Sequence, residues 1–451
     1  MNSGGRFVME KYRWCKIDTA SIMFSSLSSE KWGRTFRLSA YFKDDIDPVY
    51  IEQAVRELKP HYPSVYAYLK KGFFWNYLAL TDKLPEIREL TDEGMLPVVK
   101  RKDGRPDFRI TYKDKRISIE CSHSLGDGKG IQIYFKALLK RYNELKNGEK
   151  GEYISSEKPS ENSRNAFADY YDKNGEKDNR KNGKAFHFPE IYEDNFLDLR
   201  FLETNTSALK ALSHKEGLTI TEYLTAVLML GIIKCADAPV NEDITVAVPV
   251  NLRRFFPTLT VRNFTVQSFV TFSPEGRKDV SLGEIIENTR GQLRSQLTKE
   301  ELIKSVNKFG GLVNNPVLRV VPNVIKLPVL RKMQKSTHEG VSTIFTNYGD
   351  CRLPESLQGD VEKLQFVNGD TRSYGLAVTC SCIGYGDKLS MCFSHANKDI
   401  RWYEAVCDIL EKEGLAVEKS SITGRAHDKK YPSEGFREKL SAERIKAYFN
   451  I

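Results

Sequence analysis

Apolar and polar side chains alternate over residues 34–42, the period of a half-buried strand. Asp47-Pro48 then supplies an N-cap and a first-turn proline for a helix running to about residue 58. Two aromatic-rich runs, 64–69 and 73–80, flank Lys70-Lys71-Gly72, a spacing that predicts a hairpin. Strands are expected at 109–112 and 117–121 around the charged turn 113–116. The second of them runs directly into Ser122-His123-Ser124-Leu125-Gly126-Asp127-Gly128. Residues 131–142 then repeat their apolar side chains at helical spacing, so this string occupies a strand-to-helix corner.

Between residues 143 and 184 the composition shifts to Gly, Asn, Ser, Lys and Glu, which marks a surface crossover with at most short helices. A second mixed region opens with a strand at 196–203 and a helix at 207–216. Thr219-x-x-Glu222 is a capping-box pattern ahead of a helix over 223–234 that is apolar nearly all round and should be buried. Strands are expected at 244–250, 263–272, 341–346, 364–367, 375–383 and 389–395, with a helix over 404–413 and a peripheral amphipathic helix over 434–449. The organisation expected is an N-terminal lobe over 1–184, a C-terminal lobe over 185–425 and a helical tail over 426–451.

Composition narrows the function classes. The chain has 451 residues with ordinary globular apolar content, enough for more than one core. Its longest apolar stretch, 223–233, is well short of the roughly 20 residues of a membrane span, so a polytopic membrane protein is excluded and no membrane partner is expected. The first eleven residues lack an apolar core of signal-peptide length, which predicts a cytoplasmic address. Lys and Arg exceed Asp and Glu by 69 to 60, a net charge of +9 that suits an anionic ligand. The densest basic run, 177–184, carries no stacking aromatic, so no nucleic-acid partner is expected. Eight scattered cysteines without a CxxC pair read as packing thiols. The histidines show no metal-ligand spacing, and 126–130 lacks phosphate-loop spacing, so neither a metal nor a tightly bound cofactor is predicted.

The chemistry-bearing string is His123-x-x-x-Asp127-Gly128. A histidine leaving a strand at the mouth of a helix is held by backbone on both sides while its imidazole projects outward, which suits a general base. Asp127 points back toward the scaffold, within reach of an arginine. Gly126 and Gly128 remove side chains where the backbone turns. The competing reading makes His123 a packed core histidine and Asp127 a simple helix N-cap.

This corner resembles that of the bacterial alcohol-acetyltransferase-like branch of the coenzyme A-dependent acyltransferase superfamily. That superfamily also holds chloramphenicol acetyltransferase, plant hydroxycinnamoyl-type acyltransferases and peptide-synthetase condensation domains. Condensation domains usually carry a second histidine where this chain has Ser122, a departure that weighs against amide-forming condensation. Three further stretches resemble the branch: Lys70-Lys-Gly-Phe-Phe-Trp75; Val248-Pro-Val-Asn-Leu-Arg253 through Pro257, with Arg262-Asn-Phe264; and Thr346-Asn-Tyr-Gly349. The resemblance extends over about residues 10–410.

It implies an α/β fold of two pseudo-symmetric chloramphenicol acetyltransferase-like sandwich lobes with an interlobe tunnel, His123 midway along it. It further implies His123 as catalytic base, with Asp127, Gly128 and Arg253 as structural elements of the motif; Arg254 and Arg262 are alternative partners for Asp127. Asn347 or Gly349 would be an oxyanion donor or tunnel residue. Acyl-CoA would be the co-substrate, with a small-molecule hydroxyl or amine as acceptor and the protein acting as a monomer. Two other readings stand beside this one: an enzyme that takes its acyl group from an acyl-carrier protein, and a noncatalytic binding member of the same fold.

Overall fold

The computed structural model describes residues 14–27, 34–90, 103–149, 151, 153, 158–180, 183–188, 196–369, 371 and 375–425. Its strands are β1 (Trp14–Lys16), β2 (Thr35–Phe42), β3 (Ala67–Lys70), β4 (Tyr77–Leu80), β5 (Glu86–Glu89), β6 (Phe108–Lys113), β7 (Arg116–Ser122), β8 (Phe196–Asn205), β9 (Ile244–Asn251), β10 (Thr265–Phe272), β11 (Thr343–Asp350), β12 (Val361–Val367), β13 (Val378–Tyr385), β14 (Lys388–His395) and β15 (Glu418–Arg425). Its α-helices are α1 (Thr19–Leu27), α2 (Pro48–Leu58), α3 (Gly128–Lys146), α4 (Pro159–Asn162), α5 (Ala166–Tyr170), α6 (Thr206–Lys215), α7 (Ile220–Cys235), α8 (Leu282–Gln296), α9 (Lys299–Asn314), α10 (Pro316–Val320), α11 (Asn323–Glu339) and α12 (Arg401–Lys412).

The alternation at 34–42 becomes β2, and Asp47 caps α2 by accepting from the Val49 N–H at 3.0 Å. β2 lies in a five-stranded sheet of order β12-β2-β7-β6-β5. Ile51, Ala54, Val55 and Leu58 of α2 pack with Ile131, Leu138 and Leu139 of α3 in the same core as Leu38, Ile117 and Ile119 of the sheet. The apolar faces of an 11- and a 19-residue helix are thereby removed from water, and the start of α3 is fixed at the end of β7.

The second half forms a seven-stranded sheet of order β10-β9-β11-β13-β14-β8-β15. α7 is buried nearly all round, packed with α8, α12 and residues of this sheet. Its start is a complete capping box: Thr219 Oγ1 accepts from the Glu222 N–H at 3.2 Å, and Glu222 Oε2 accepts from the Thr219 N–H at 2.7 Å. Trp402 of α12, wholly buried, donates its indole N–H to the Leu228 carbonyl at 3.0 Å.

Several features depart from the sequence pattern. β12 belongs to the second half by position yet pairs antiparallel with β2, placing Leu364 opposite Ala40, so the first sheet is completed from beyond the expected lobe boundary. Among the described residues the crossover at 143–184 holds two short helices, but it is not wholly a surface segment: Phe167 of α5 and Asn162 are fully buried, and Phe167 packs with Phe256, Phe264 and Val306. Phe73, Phe74 and Trp75 lie in the turn between β3 and β4 rather than in a strand. The four helices α8 to α11 fill a stretch in which no element was expected, and β15 adds an edge strand beside β8. The amphipathic run 434–449 lies outside the described residues.

Because Thr219→Ala removes the capping hydroxyl and strands one N–H of a core helix, it should lower global stability by about 1 kcal/mol, read as a reduced urea midpoint at unchanged m-value.

Candidate active site

β7 ends at Ser122, and the next residue is clamped by backbone: the His123 N–H donates to the Arg34 carbonyl at 2.9 Å, and the Leu125 N–H to the Ser122 carbonyl at 3.0 Å. The His123 ring is flanked by Phe24 of α1 and Phe36 of β2, each with its centroid 4.7 Å away, Phe24 nearly parallel at 26°. Nδ1 is buried without a hydrogen-bond partner among the described residues, while the residue as a whole stays partly exposed. Burial first and then the Arg34 guanidinium push its pKa down to about 4, against the opposing pull of Asp127 and the Asn263 side chain. The imidazole is therefore neutral at pH 7, the form that accepts a proton.

Asp127 N-caps α3, and among the described residues four donors converge on its carboxylate. Oδ1 accepts from the Gly130 N–H at 2.7 Å. Oδ2 accepts from Arg253 Nη1 at 2.9 Å, the Phe264 N–H at 2.6 Å and Thr265 Oγ1 at 2.8 Å. Burial alone would raise this carboxyl, but Arg253 and the two backbone donors outweigh it and hold the group below the usual aspartate value. Arg253 also donates through Nε to the Thr260 carbonyl at 3.1 Å and through Nη2 to the Arg262 carbonyl at 2.5 Å, so one guanidinium braces the loop after β9 against the start of α3. Arg254 is exposed, whereas Arg262 turns to Asp18, with Nε 3.7 Å from Oδ2.

The glycines permit this closeness. A Cβ at Gly128 would collide with the Tyr348 hydroxyl, and one at Gly130 with the Val261 carbonyl. A second clasp lies beside the first. Asn263 Nδ2 donates to Asp18 Oδ2 at 3.1 Å, to Ser21 Oγ at 2.9 Å and to the His123 carbonyl at 2.9 Å. Asp18 in turn accepts from the Ser21 N–H and hydroxyl, each at 2.7 Å. Asp18, Ser21 of α1 and Asn263 of the loop before β10 thus form a cluster that holds the peptide of the histidine itself. Asp18, Phe24 and Phe36 escape the sequence reading because they are ordinary packing types far away in the chain, and Tyr348 lies within the Thr346-Asn-Tyr-Gly349 stretch. Asn263 lies within the Arg262-Asn-Phe264 stretch, which was the available signal.

Asn347 and Gly349, expected as oxyanion or tunnel residues, lie toward the end of β11. Strand alternation sends Tyr348 toward Gly128 and Asn347 to the other face, where Nδ2 donates to Thr221 Oγ1 at 2.9 Å and Oδ1 accepts from the Gly349 N–H at 2.7 Å. Gly349 is exposed with φ +66°. Tyr348 is buried and its hydroxyl has no partner among the described residues. His395 is wholly buried beside Asn397. A cavity of about 370 Å³ lined by Arg164, Tyr170 and Leu259 does not include His123, and the expected tunnel is not seen there.

No family model matches the chain, and no curated protein matches its sequence. Solved structures do. Fusarium sporotrichioides TRI101 in complex with coenzyme A and T-2 aligns with TM-score 0.60 at 12% identity, over 90% of this chain and 99% of that one. TRI3 trichothecene 15-O-acetyltransferase of the same organism aligns with TM-score 0.60 at 10% identity, over 92% of this chain and 100% of that one. The nonribosomal peptide synthetase FmoA3 aligns with TM-score 0.56 at 14% identity, over 89% of this chain and 42% of that one. The chain has the fold of the chloramphenicol acetyltransferase-like acyltransferases and condensation domains.

Asp127→Asn keeps the shape but leaves Arg253, largely buried, facing a neutral amide that also presents donors. It should destabilise the protein by about 3 kcal/mol in chemical denaturation, a larger loss than that from Arg254→Gln at the exposed neighbour.

Proposed function

We propose that the protein is an acyltransferase that moves an acetyl or other acyl group from a coenzyme A thioester to a hydroxyl, or an amine, of a small acceptor, with His123 as general base. The observation that carries this reading is a neutral, partly exposed imidazole fixed by backbone on both sides, on a fold shared with acetyltransferases. The bound coenzyme A of TRI101 supports the choice of donor.

In the proposed reaction a nitrogen of His123 takes the hydroxyl proton as the acceptor oxygen attacks the thioester carbonyl. The tetrahedral intermediate collapses with cleavage of the C–S bond, and the imidazolium returns the proton to the departing thiolate. The products are an ester and free coenzyme A, and His123 is again neutral. Every oxygen of Asp127 is engaged by fixed donors, so it serves as a positioning residue, together with Arg253 and Gly128. Phe24 and Phe36 keep the ring apolar and unprotonated.

A second donor class has its own support. The FmoA3 match and the net charge of +9 suit an acidic acyl-carrier protein carrying the same thioester. Ser122 in place of a second histidine favours the coenzyme A donor.

Purified full-length protein mixed with acetyl-CoA and a panel of alcohols and amines should release free thiol with at least one acceptor. His123→Ala should lower that turnover at least about 100-fold while leaving the thermal midpoint near the parent value. Normal turnover in this variant would overturn the assignment, and preference for acyl-carrier protein over acyl-CoA would select the second donor.

The acid limb of kcat/KM follows from the same ring. A base must be unprotonated, and with its pKa lowered to about 4 it stays so through mild acid. Activity should therefore persist below pH 6 and fall as pH drops through about 4, provided the protein remains folded by circular dichroism at each pH. A limb near 6.5, the ordinary histidine value, would show a ring more open to water than this one.

A further inference from the structure

α11 presents its polarity in reverse. Its inward stripe is Asn323, Lys326, Leu330 and Gln334, all buried and mostly polar. Asn323 Nδ2 donates to the Gly72 carbonyl at 2.8 Å, Lys326 Nζ to the Leu318 carbonyl at 2.8 Å, and Gln334 Nε2 to the Met23 carbonyl of α1 at 2.8 Å. Lys326 also sits over the Trp75 ring, 3.2 Å from its centroid. The outward stripe is apolar: Val324 is 76% exposed, and Ile325, Pro328, Val329 and Met333 are exposed beside it. A helix meeting only water shows the opposite arrangement.

The apolar surface continues past this helix. Val317 and Val320 of α10 are exposed, and so are Phe73, at 70%, and Phe74 at the hairpin tip. The tip is fastened to α11 by the Asn323 N–H, which donates to the Phe73 carbonyl at 2.8 Å. The charge along this stretch is predominantly positive, with Glu339 at the last turn of α11 the exception. Residues 302–338 contain seven lysines and arginines and no aspartate or glutamate, and the hairpin turn adds Lys70 and Lys71. Arg319, Arg331, Lys332, Lys335 and both hairpin lysines are exposed.

We propose that α10, α11 and the Phe73–Phe74 tip form a surface that lies in the interface of an anionic phospholipid bilayer, with the apolar side chains among the upper acyl chains and the cations among the headgroups. No single described helix is long and apolar enough to cross a membrane, which leaves binding in the plane of the surface. Protruding aliphatic and aromatic side chains edged mainly by lysine and arginine match a negatively charged lipid face, whereas a folded partner would have to match them pocket by pocket. The site departs from the expectation of no membrane partner drawn from composition, and it does not depend on the acyl-transfer reading.

The test is co-sedimentation of the full chain with vesicles of phosphatidylcholine alone and of phosphatidylcholine containing about a quarter phosphatidylglycerol, at low and high ionic strength. The protein should pellet with the anionic vesicles and little with the neutral ones, and salt should weaken the association. Phe73→Asp combined with Ile325→Asp should reduce the bound fraction at least about tenfold, and Arg331→Glu combined with Lys332→Glu should do the same for anionic vesicles, each with circular dichroism and thermal midpoint near the parent's. Failure of the parent to pellet with anionic vesicles overturns the proposal, as does unchanged binding by well-folded variants. So does self-association without lipid that Ile325→Asp abolishes, or a soluble acidic carrier protein bound through the same residues and not displaced by vesicles. None of these readouts involves turnover, so they leave the catalytic assignment to its own assay.

Discussion

The Asp127 carboxylate is the interaction on which the rest of the site depends. A buried carboxylate loses several kcal/mol of solvation, and that loss is offset only when its oxygens are fully engaged. Here the engagement comes from both halves of the chain: the start of α3 on one side, Arg253, Phe264 and Thr265 on the other. One group therefore terminates a helix and fastens the loop between β9 and β10 against it. The small size of Gly130 follows from this, because a side chain there would press on Val261 and hold the two pieces apart, while Gly128 leaves room for Tyr348 of β11.

Two ionisable groups three residues apart, Glu120 fully buried and His123 partly exposed, show how environment divides their roles. Glu120 lies on β7 directly opposite Arg37 of β2 and Arg109 of β6 in the sheet register, and both arginines donate to it. Its burial would raise the carboxyl, but the two cations hold it at about 2, so it is a permanently charged strut. His123 receives aromatic walls and a nearby cation instead, and loses its proton. The strand thus carries a fixed anion within the sheet and a neutral base where it ends.

The local pattern made the motif corner, the capped helix α2 and the capping box of α7 legible, since each is set by residues within a turn of one another. Arg253 as the partner of Asp127 came from resemblance and could not come from spacing, because 126 residues separate them. Asp18 was out of reach for the same reason: a buried clasp assembled from distant segments leaves no periodic trace. Tyr348 stands beside Gly128 and Asn347 faces Thr221 because one step along a strand reverses the face. α11 was missed because its inner stripe is polar and its outer one apolar, and periodicity cannot say which side of a helix is covered.

The placement of β12 carries a consequence for how the chain is made. While residues of the first half leave the ribosome, β2 has β7 on one side and nothing on the other, and the strand that will occupy that flank is synthesised only after β8 to β11. Until then an open backbone edge is available to any other extended chain. The first half is thus an unfinished sheet rather than an independent folding unit, and such long-range pairing favours slow acquisition of the native state.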